Sequence, residues 1–206
     1  MAAFAGRGGR PAVAAREAVL HGGSRRNGER EGRAVDAATT QDPHPPLVGA
    51  QAPDFALNDQ HGAEVRLRAG DVGDGPAEPG RAGTAHTVVV FYPFAFTGVC
   101  TGELRVLQEA QPRFAALDAR VLAISCDSMF SLRVFAERES LTFPLLSDFW
   151  PHGEVARHYG VFDADRGCAL RGTFVIDRAG AVRWQVVNAI QDARAVDDYL
   201  TALERL

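Results

Sequence analysis

Residues 87–103 read TVVVFYPFAFTGVCTGE. The first six of them form a continuous apolar and β-branched run, which is typical of a strand covered on both faces of a sheet. Beyond this stretch, Leu104, Leu107 and Phe114 recur at the spacing of one helix face. Pro112 predicts a break in that helix. The stretch therefore predicts a buried strand that leads directly into a helix, with a cysteine in the segment that joins them.

The segments on either side continue this alternation of strand and helix patterns. On the N-terminal side, residues 48–57 and the alternating run at 64–67 predict a hairpin. On the C-terminal side, the turn at Gly180 between two apolar runs predicts a second hairpin, and Asp192 opens a predicted final helix. This order predicts an α/β fold with a central mixed β-sheet flanked by helices, an N-terminal hairpin and a C-terminal helix. The patterns in between predict a strand at 121–124, a helix capped by Ser128, a short strand at 144–146 and a short helix at 152–158.

Residues 1–46 differ in character from the rest of the sequence. They contain seven arginines and five acidic residues without sustained apolar periodicity, so they cannot bury enough apolar area to offset the entropy of ordering. We therefore predict a disordered N-terminal extension at 1–46 and one α/β domain at 47–206. An alternative is a downstream start at a codon other than ATG, because Met1 and Met129 are the only methionines. Residues 68–86, rich in glycine, proline and aspartate, predict a long surface loop.

The composition excludes several classes of protein. Of the 206 residues, 46% are hydrophobic and 23% are charged, which is typical of a globular protein. No run approaches the roughly 18–20 consecutive apolar residues of a membrane span, so we expect no membrane partner. The net charge of −4 argues against a nucleic-acid partner. The three cysteines are too few for a disulfide framework and lack the spacing of zinc ligands, so we expect no metal and no cofactor.

Cys100 stands where the predicted strand leads into the predicted helix. The first turn of a helix has unpaired N–H groups and the positive end of the helix dipole, which favour the thiolate, the nucleophilic form of cysteine. A cysteine after an apolar strand is also commonly a small buried residue. Two neighbours favour the catalytic interpretation. Thr97 brings a hydroxyl toward the space that holds the sulfur, and Pro93 stiffens the end of the strand.

Pro93, Thr97 and Cys100 match the pattern Pro-x-x-x-Thr-x-x-Cys, and in this the sequence resembles the peroxiredoxins. The resemblance extends from about Val48 to the C-terminus and implies a thioredoxin-like fold and a thiol peroxidase activity. Within that family, residues 96–103 and 147–153 resemble the one-cysteine alkyl hydroperoxide reductase E type of actinobacteria. The resemblance also covers residues 52–55, 143–148 and 170–177.

The resemblance implies a role for each site residue. Cys100 would attack a peroxide oxygen and become a sulfenic acid, Thr97 would hydrogen-bond the peroxide, and Pro93 would shield the site from water. Arg171, which by itself looks like a surface arginine, matches the arginine that stabilises the thiolate and binds the polarised O–O unit. Glu103 has two interpretations, either an acceptor that orients this arginine or a favourable acidic residue in a first helical turn.

The sulfenic acid must then be reduced by a second thiol. Two-cysteine members supply it from a Val-Cys-Pro segment near the C-terminus or from a few residues beyond the first cysteine, and neither is present here. Two other cysteines remain. We expect Cys126 to be a buried structural residue and Cys168, in a polar turn, to be the more exposed.

We therefore expect a one-cysteine mechanism that reduces hydrogen peroxide, organic hydroperoxides or peroxynitrite. The resemblance implies an external thiol reductant, either mycothiol with mycoredoxin or thioredoxin, and a cytoplasmic homodimer or larger homo-oligomer. One alternative is a two-cysteine mechanism with Cys168 as the resolving residue. Another is a peroxide sensor or holdase that passes oxidation from Cys100 to a partner protein.

Overall fold

The computed structural model describes residues 44–68 and 85–206. Most of the predicted N-terminal extension (1–43) and of the predicted surface loop (69–84) lies outside the described residues. None of the described helices is long and apolar enough to cross a membrane. The strands are β1 (Phe55–Asp59), β2 (Glu64–Leu67), β3 (His86–Phe91), β4 (Ala119–Ser125), β5 (Leu145–Ser147), β6 (Phe162–Asp163), β7 (Cys168–Ala169), β8 (Arg171–Ile176) and β9 (Val182–Asn188). The helices are α1 (Gly98–Glu109), α2 (Gln111–Ala116), α3 (Met129–Glu139), α4 (Glu154–His158) and α5 (Val196–Leu203).

Seven strands form one mixed sheet in the order β2-β1-β5-β4-β3-β8-β9. Strand β4 is parallel to both β3 and β5, and the other pairs are antiparallel. Strands β6 and β7 pair with each other as a separate two-stranded sheet. The predicted mixed sheet, the N-terminal hairpin (β1 and β2) and the C-terminal helix (α5) are all confirmed.

The continuous apolar run of β3 is explained by burial on both faces of the sheet. Alternate side chains of a strand point to opposite faces. Val88 and Val90 pack in a cluster with residues of α1, α3 and α5. Val89 and Phe91 pack on the other face, where the Phe91 ring contacts that of Tyr159. Packing on both faces therefore fixes the C-terminal end of β3, from which the residues of the site follow.

The last helix begins later than the sequence predicted, at Val196 instead of Asp192. The side-chain amide of Asn188 donates to the carbonyl of Asp192, and the backbone N–H of Arg194 donates to a carboxylate oxygen of Glu103 at 2.7 Å. A backbone N–H committed to a distant side chain is not available to a helix. Residues 189–195 therefore form a loop that packs against α1. The predicted break at Pro112 is confirmed, because α1 ends at Glu109 and α2 starts again at Gln111.

Candidate active site

A tight connection carries the chain from β3 to α1. The N–H of Tyr92 donates to the carbonyl of Ile124 at 3.0 Å, and the N–H of Ala95 donates to the Asp127 carboxylate at 2.8 Å. Phe96 then adopts a left-handed backbone conformation, with φ +64°, which is unfavourable for a bulky residue and needs support from its surroundings. Its ring packs on that of Phe135 in α3, at 5.0 Å between ring centroids. The turn at Phe96 lets α1 begin within two residues.

Cys100 lies in the first turn of α1, as the sequence predicted, with its side chain buried at the bottom of a surface cleft. The cleft has a volume of about 260 Å³. Thr97 is the N-cap residue of the helix, but its hydroxyl donates to the carbonyl of Phe94 at 3.2 Å rather than capping the helix. Because that hydroxyl uses its hydrogen there, its oxygen remains an acceptor. The cleft is lined by Pro93, Thr97, Val99, Cys100, Arg171 and Ile190, among others.

Arg171, at the first position of β8, is buried and lines the same cleft as Cys100. Its Nη2 atom donates to Sγ of Cys100 at 3.4 Å, and its Nη1 atom donates to Oε2 of Glu103. Its Nε atom donates to the carbonyl of Ile190 at 2.5 Å. The flat guanidinium thus has three partners at once, which fixes its orientation. The view of Arg171 as a surface residue, suggested by its sequence context alone, is wrong.

Glu103 lies one turn after Cys100 and is also buried. Besides Arg171, its carboxylate accepts hydrogen bonds from Nε and Nη2 of Arg194, at 3.1 and 3.2 Å. These contacts favour the first of the two interpretations of Glu103, an acceptor that orients Arg171.

Arg194 is a site residue that sequence reasoning missed. Its Nη1 atom donates to the carbonyls of Phe91 and Gly172, at 2.9 and 2.7 Å, and to the hydroxyl of Thr173 at 2.9 Å. Arg194 thereby joins β3, β8 and α1. It lies 91 residues from Glu103 in an irregular loop, and no local pattern distinguishes it from the other arginines of the chain.

The buried groups around Cys100 carry more positive than negative charge. Arg171 and Arg194 carry two positive charges, and Glu103 is the one carboxylate that they contact among the described residues. An uncompensated charge in a buried cluster is costly. The Arg171 guanidinium thus presents positive charge directly to the Cys100 sulfur, where negative charge can be stabilised without reorganisation.

The other two cysteines lie in a different environment. Cys126 follows β4 and is buried, as predicted, whereas the prediction that Cys168 is the more exposed of the two is wrong, because Cys168 is fully buried. Cys168 belongs to β7, and its side chain points into the protein although the turn before it is polar. Burial raises the pKa of Cys168 to about 11 and that of Cys126 to about 12, so both are protonated at neutral pH.

Within residues 44–68 and 85–206, no group of three His, Cys, Asp or Glu side chains could hold a metal ion.

The fold and the site together define a class of protein. A central strand presents a buried cysteine at a helix N-terminus, beside a fixed guanidinium and at the bottom of a small cleft. This is the arrangement of a cysteine-based redox enzyme with a thioredoxin-like fold. Residues 48–185 match the sequence profile of the AhpC/TSA family. The chain therefore belongs to this family, the peroxiredoxins.

Individual relatives agree with the family assignment. Alkyl hydroperoxide reductase E of Mycobacterium tuberculosis is 43% identical over 159 residues, which are 76% of this chain and 97% of that protein. The chloroplastic 2-Cys peroxiredoxin BAS1 of Hordeum vulgare is 32% identical over 171 residues, 78% of this chain and 75% of that protein. The crystal structure of peroxidoxin BcpB from Mycobacterium tuberculosis superimposes with a TM-score of 0.65 at 29% identity, covering 78% of this chain and 98% of that one. The protein is thus a thiol-dependent peroxidase, as predicted.

Proposed function

We propose that this peroxiredoxin reduces hydrogen peroxide, organic hydroperoxides or peroxynitrite by a one-cysteine mechanism centred on Cys100. The observation that carries the proposal is the hydrogen bond from Arg171 to the Cys100 sulfur inside the cleft. A thiolate held this way has its attacking atom directed toward bound peroxide and a fixed positive charge beside it.

The chemical step transfers one oxygen atom to sulfur. The thiolate of Cys100 attacks a peroxide oxygen, an S–O bond forms, and the O–O bond breaks. The leaving oxygen takes up one proton, so the products are a cysteine sulfenic acid and water or an alcohol. For peroxynitrite the second product is nitrite.

The neighbouring residues have distinct roles in this step. Arg171 stabilises negative charge as it moves from sulfur to the leaving oxygen, because its guanidinium needs no reorganisation. Thr97 accepts a hydrogen bond from the peroxide, and Pro93 excludes water from the sulfur. Glu103 and Arg194 are positioning residues that act through Arg171.

In this proposal, an external thiol reduces the sulfenic acid of Cys100 back to the thiol. The sulfenic acid reacts with it to form a mixed disulfide and water, and a second thiol releases Cys100. The support for an external reductant is the burial of Cys126 and Cys168 as protonated thiols, which are poor nucleophiles. Mycothiol with mycoredoxin, or thioredoxin, would serve in this role.

Catalytic turnover tests the external reductant. We expect continuous peroxide consumption with at least one of a small thiol, mycothiol with mycoredoxin, or thioredoxin, and unchanged turnover in Cys168→Ser. Loss of turnover in that variant, with the sulfenic acid still forming, would instead identify Cys168 as an obligatory resolving residue. Rapid oxidation of Cys100 without turnover in any of these reductants would favour the sensor or holdase alternative. Stopped-flow fluorescence and a peroxide assay provide the two measurements.

Peroxiredoxins form oligomers, and we propose that a second copy of this chain covers an apolar surface formed by Phe96, Phe130, Val134, Phe149 and Trp150. All five side chains are exposed, Trp150 by 82% and Phe130 by 66%. Phe130, Phe149 and Trp150 line one groove, Val134 lies on α3 with Phe130, and Phe96 packs on Phe135 of the same helix. A monomer rarely exposes so many large apolar side chains together. A homodimer would bury the same surface of both copies about a two-fold axis.

Sedimentation velocity tests this interface. We expect the wild type to sediment as a dimer or larger species and Phe130→Asp to sediment as a monomer, since the new carboxylate would be buried unpaired. Val106→Asp is the matched control, because Val106 is an exposed valine of α1 outside the surface. If Phe130→Asp keeps the wild-type mass, this surface is not the interface.

We also propose a cytoplasmic location. All three cysteines are free thiols, and free thiols persist best in a reducing compartment.

A further inference from the structure

Asp127 lies in the short segment between β4 and α3, and its carboxylate contacts the connection from which the site follows. Strands β3 and β4 are parallel, with Phe91 paired to Ile124, so the segments after their C-terminal ends lie side by side. Oδ2 of Asp127 accepts the backbone N–H of Ala95 at 2.8 Å. The Asp127 carboxylate therefore holds the turn between β3 and α1 from the neighbouring strand.

One peptide group joins Asp127 to Thr97. The N–H of the Phe94–Ala95 peptide donates to Asp127, and the carbonyl of the same peptide accepts the Thr97 hydroxyl at 3.2 Å. This peptide is trans, and a trans peptide is a rigid plane whose N–H and C=O groups point in opposite directions. The hydrogen bond on one side of the plane therefore also sets the position of the carbonyl on the other side.

We propose that Asp127 is a positioning residue for peroxide reduction, which acts through the Phe94–Ala95 peptide to orient the hydroxyl of Thr97. Because the hydroxyl hydrogen is directed at the Phe94 carbonyl, a lone pair of the Thr97 oxygen is free to accept the hydrogen of the peroxide. This inference rests on the proposed function, in which Thr97 accepts that hydrogen bond. Asp127 itself does not line the cleft.

Three hydrogen bonds hold Asp127 in place. The Ser125 hydroxyl donates to Oδ2 of Asp127 at 2.9 Å and accepts the N–H of Asp127 at 3.3 Å. The Ser147 hydroxyl donates to the Asp127 carbonyl at 2.7 Å. Ser125 ends β4 and Ser147 ends β5, so both serines attach Asp127 to the central sheet. The acceptor of the Ala95 N–H is therefore in position before a peroxide binds, as precise orientation requires.

The turn needs this support because the next residue is strained. Phe96 has φ +64°, a conformation that is unfavourable for a bulky residue and persists only where its surroundings hold it. The Phe135 ring holds the side chain of Phe96, and the Asp127 carboxylate holds the backbone one residue earlier. Loss of the carboxylate would let the Phe94–Ala95 peptide rotate, and the carbonyl that orients Thr97 would turn with it.

A double-mutant cycle with Thr97→Val tests the proposal. The measured quantity is the second-order rate constant for oxidation of Cys100 by hydrogen peroxide, followed in the full chain by stopped-flow fluorescence. Asp127→Ala removes the acceptor of the Ala95 N–H, and we expect the rate constant to fall by about 10- to 100-fold, as for other misplaced orienting groups. In the Thr97→Val background, the same substitution should lower the rate constant by less than about threefold, because the hydroxyl that Asp127 orients is absent. Equal falls in the two backgrounds would overturn the inference.

Alkylation separates the orientation of Thr97 from a general disturbance of the site. Iodoacetamide reacts with the thiolate of Cys100 and needs no acceptor for a peroxide hydrogen, so its rate should be nearly unchanged in Asp127→Ala. Equal losses in the rates of alkylation and oxidation would indicate a disturbed cysteine and contradict the proposed role. Asp197→Ala is the matched control, because Asp197 is an exposed aspartate of α5 that pairs with Arg113 on the surface.

Two further variants decide the question if Asp127→Ala folds poorly. Asp127→Glu keeps the charge but displaces the oxygen by one methylene group, and should show the non-additive fall. Asp127→Asn keeps an oxygen acceptor in place without the charge, and should be oxidised faster than Asp127→Glu. The reverse order would overturn the inference, because charge rather than the position of the oxygen would then matter. If peroxide does not oxidise Cys100 in the wild type, the proposed function fails, whatever the variants show.

Discussion

A Cys100→Ser variant is expected to lose its peroxidase activity while keeping its fold. The sulfur of Cys100 is the one thiol that lines the cleft with Arg171 among the described residues, and a serine hydroxyl is a far weaker nucleophile than a thiolate. Cys126 and Cys168 cannot replace it, because neither lines the cleft and both are protonated thiols at neutral pH. We expect the rate of peroxide reduction to fall by about 10⁴-fold or more, as when other covalent nucleophiles are removed.

The measurement is peroxide consumption with an excess of reductant, at equal protein concentration. Cys126→Ser is the matched control, since it makes the same substitution at a buried cysteine outside the cleft. Near-ultraviolet circular dichroism and thermal denaturation would show that both variants are folded. Substantial activity in folded Cys100→Ser would refute the assignment of Cys100 as the nucleophile.

An Arg171→Lys variant is expected to show the second largest effect. The Arg171 guanidinium contacts the Cys100 sulfur, the Glu103 carboxylate and the Ile190 carbonyl together. A lysine ammonium is a point charge and cannot reproduce this planar arrangement. We expect the second-order rate constant for oxidation of Cys100 to fall by about 10²- to 10³-fold, the usual cost of losing a fixed donor to developing negative charge.

Stopped-flow fluorescence during reaction with excess peroxide measures this rate constant directly. The subsequent reduction of the sulfenic acid should change much less, because charge does not move onto a leaving peroxide oxygen in that step. Arg166→Lys is the matched control, since Arg166 is an exposed arginine paired with Asp163. Wild-type oxidation kinetics in Arg171→Lys would show that charge alone, without the geometry of the guanidinium, is sufficient.

Much of the fold could be predicted because its signals are local. Strand β3 is recognisable from six consecutive apolar or β-branched residues, and α3 from its cap, where the Ser128 side chain accepts from the N–H of Ser131. The start of α5 could not be predicted in the same way. The first residue of α5 depends on the contact between Arg194 and Glu103. No residue close to Arg194 in the sequence indicates that contact.

The sequence by itself determined the strand-to-helix junction and the spacing of Pro93, Thr97 and Cys100, because these depend on residues only a few positions apart. Only the tertiary structure decided which charges surround the sulfur. Arg171 and Arg194 lie 68 and 91 residues from Glu103 in the sequence. The pairing of β8 with β3 brings Arg171 to the site, and the loop after β9 brings Arg194. The burial of Cys168 was likewise decided by packing. Local patterns report backbone conformation over a few turns, whereas burial and charge environment depend on which distant segments fold against one another.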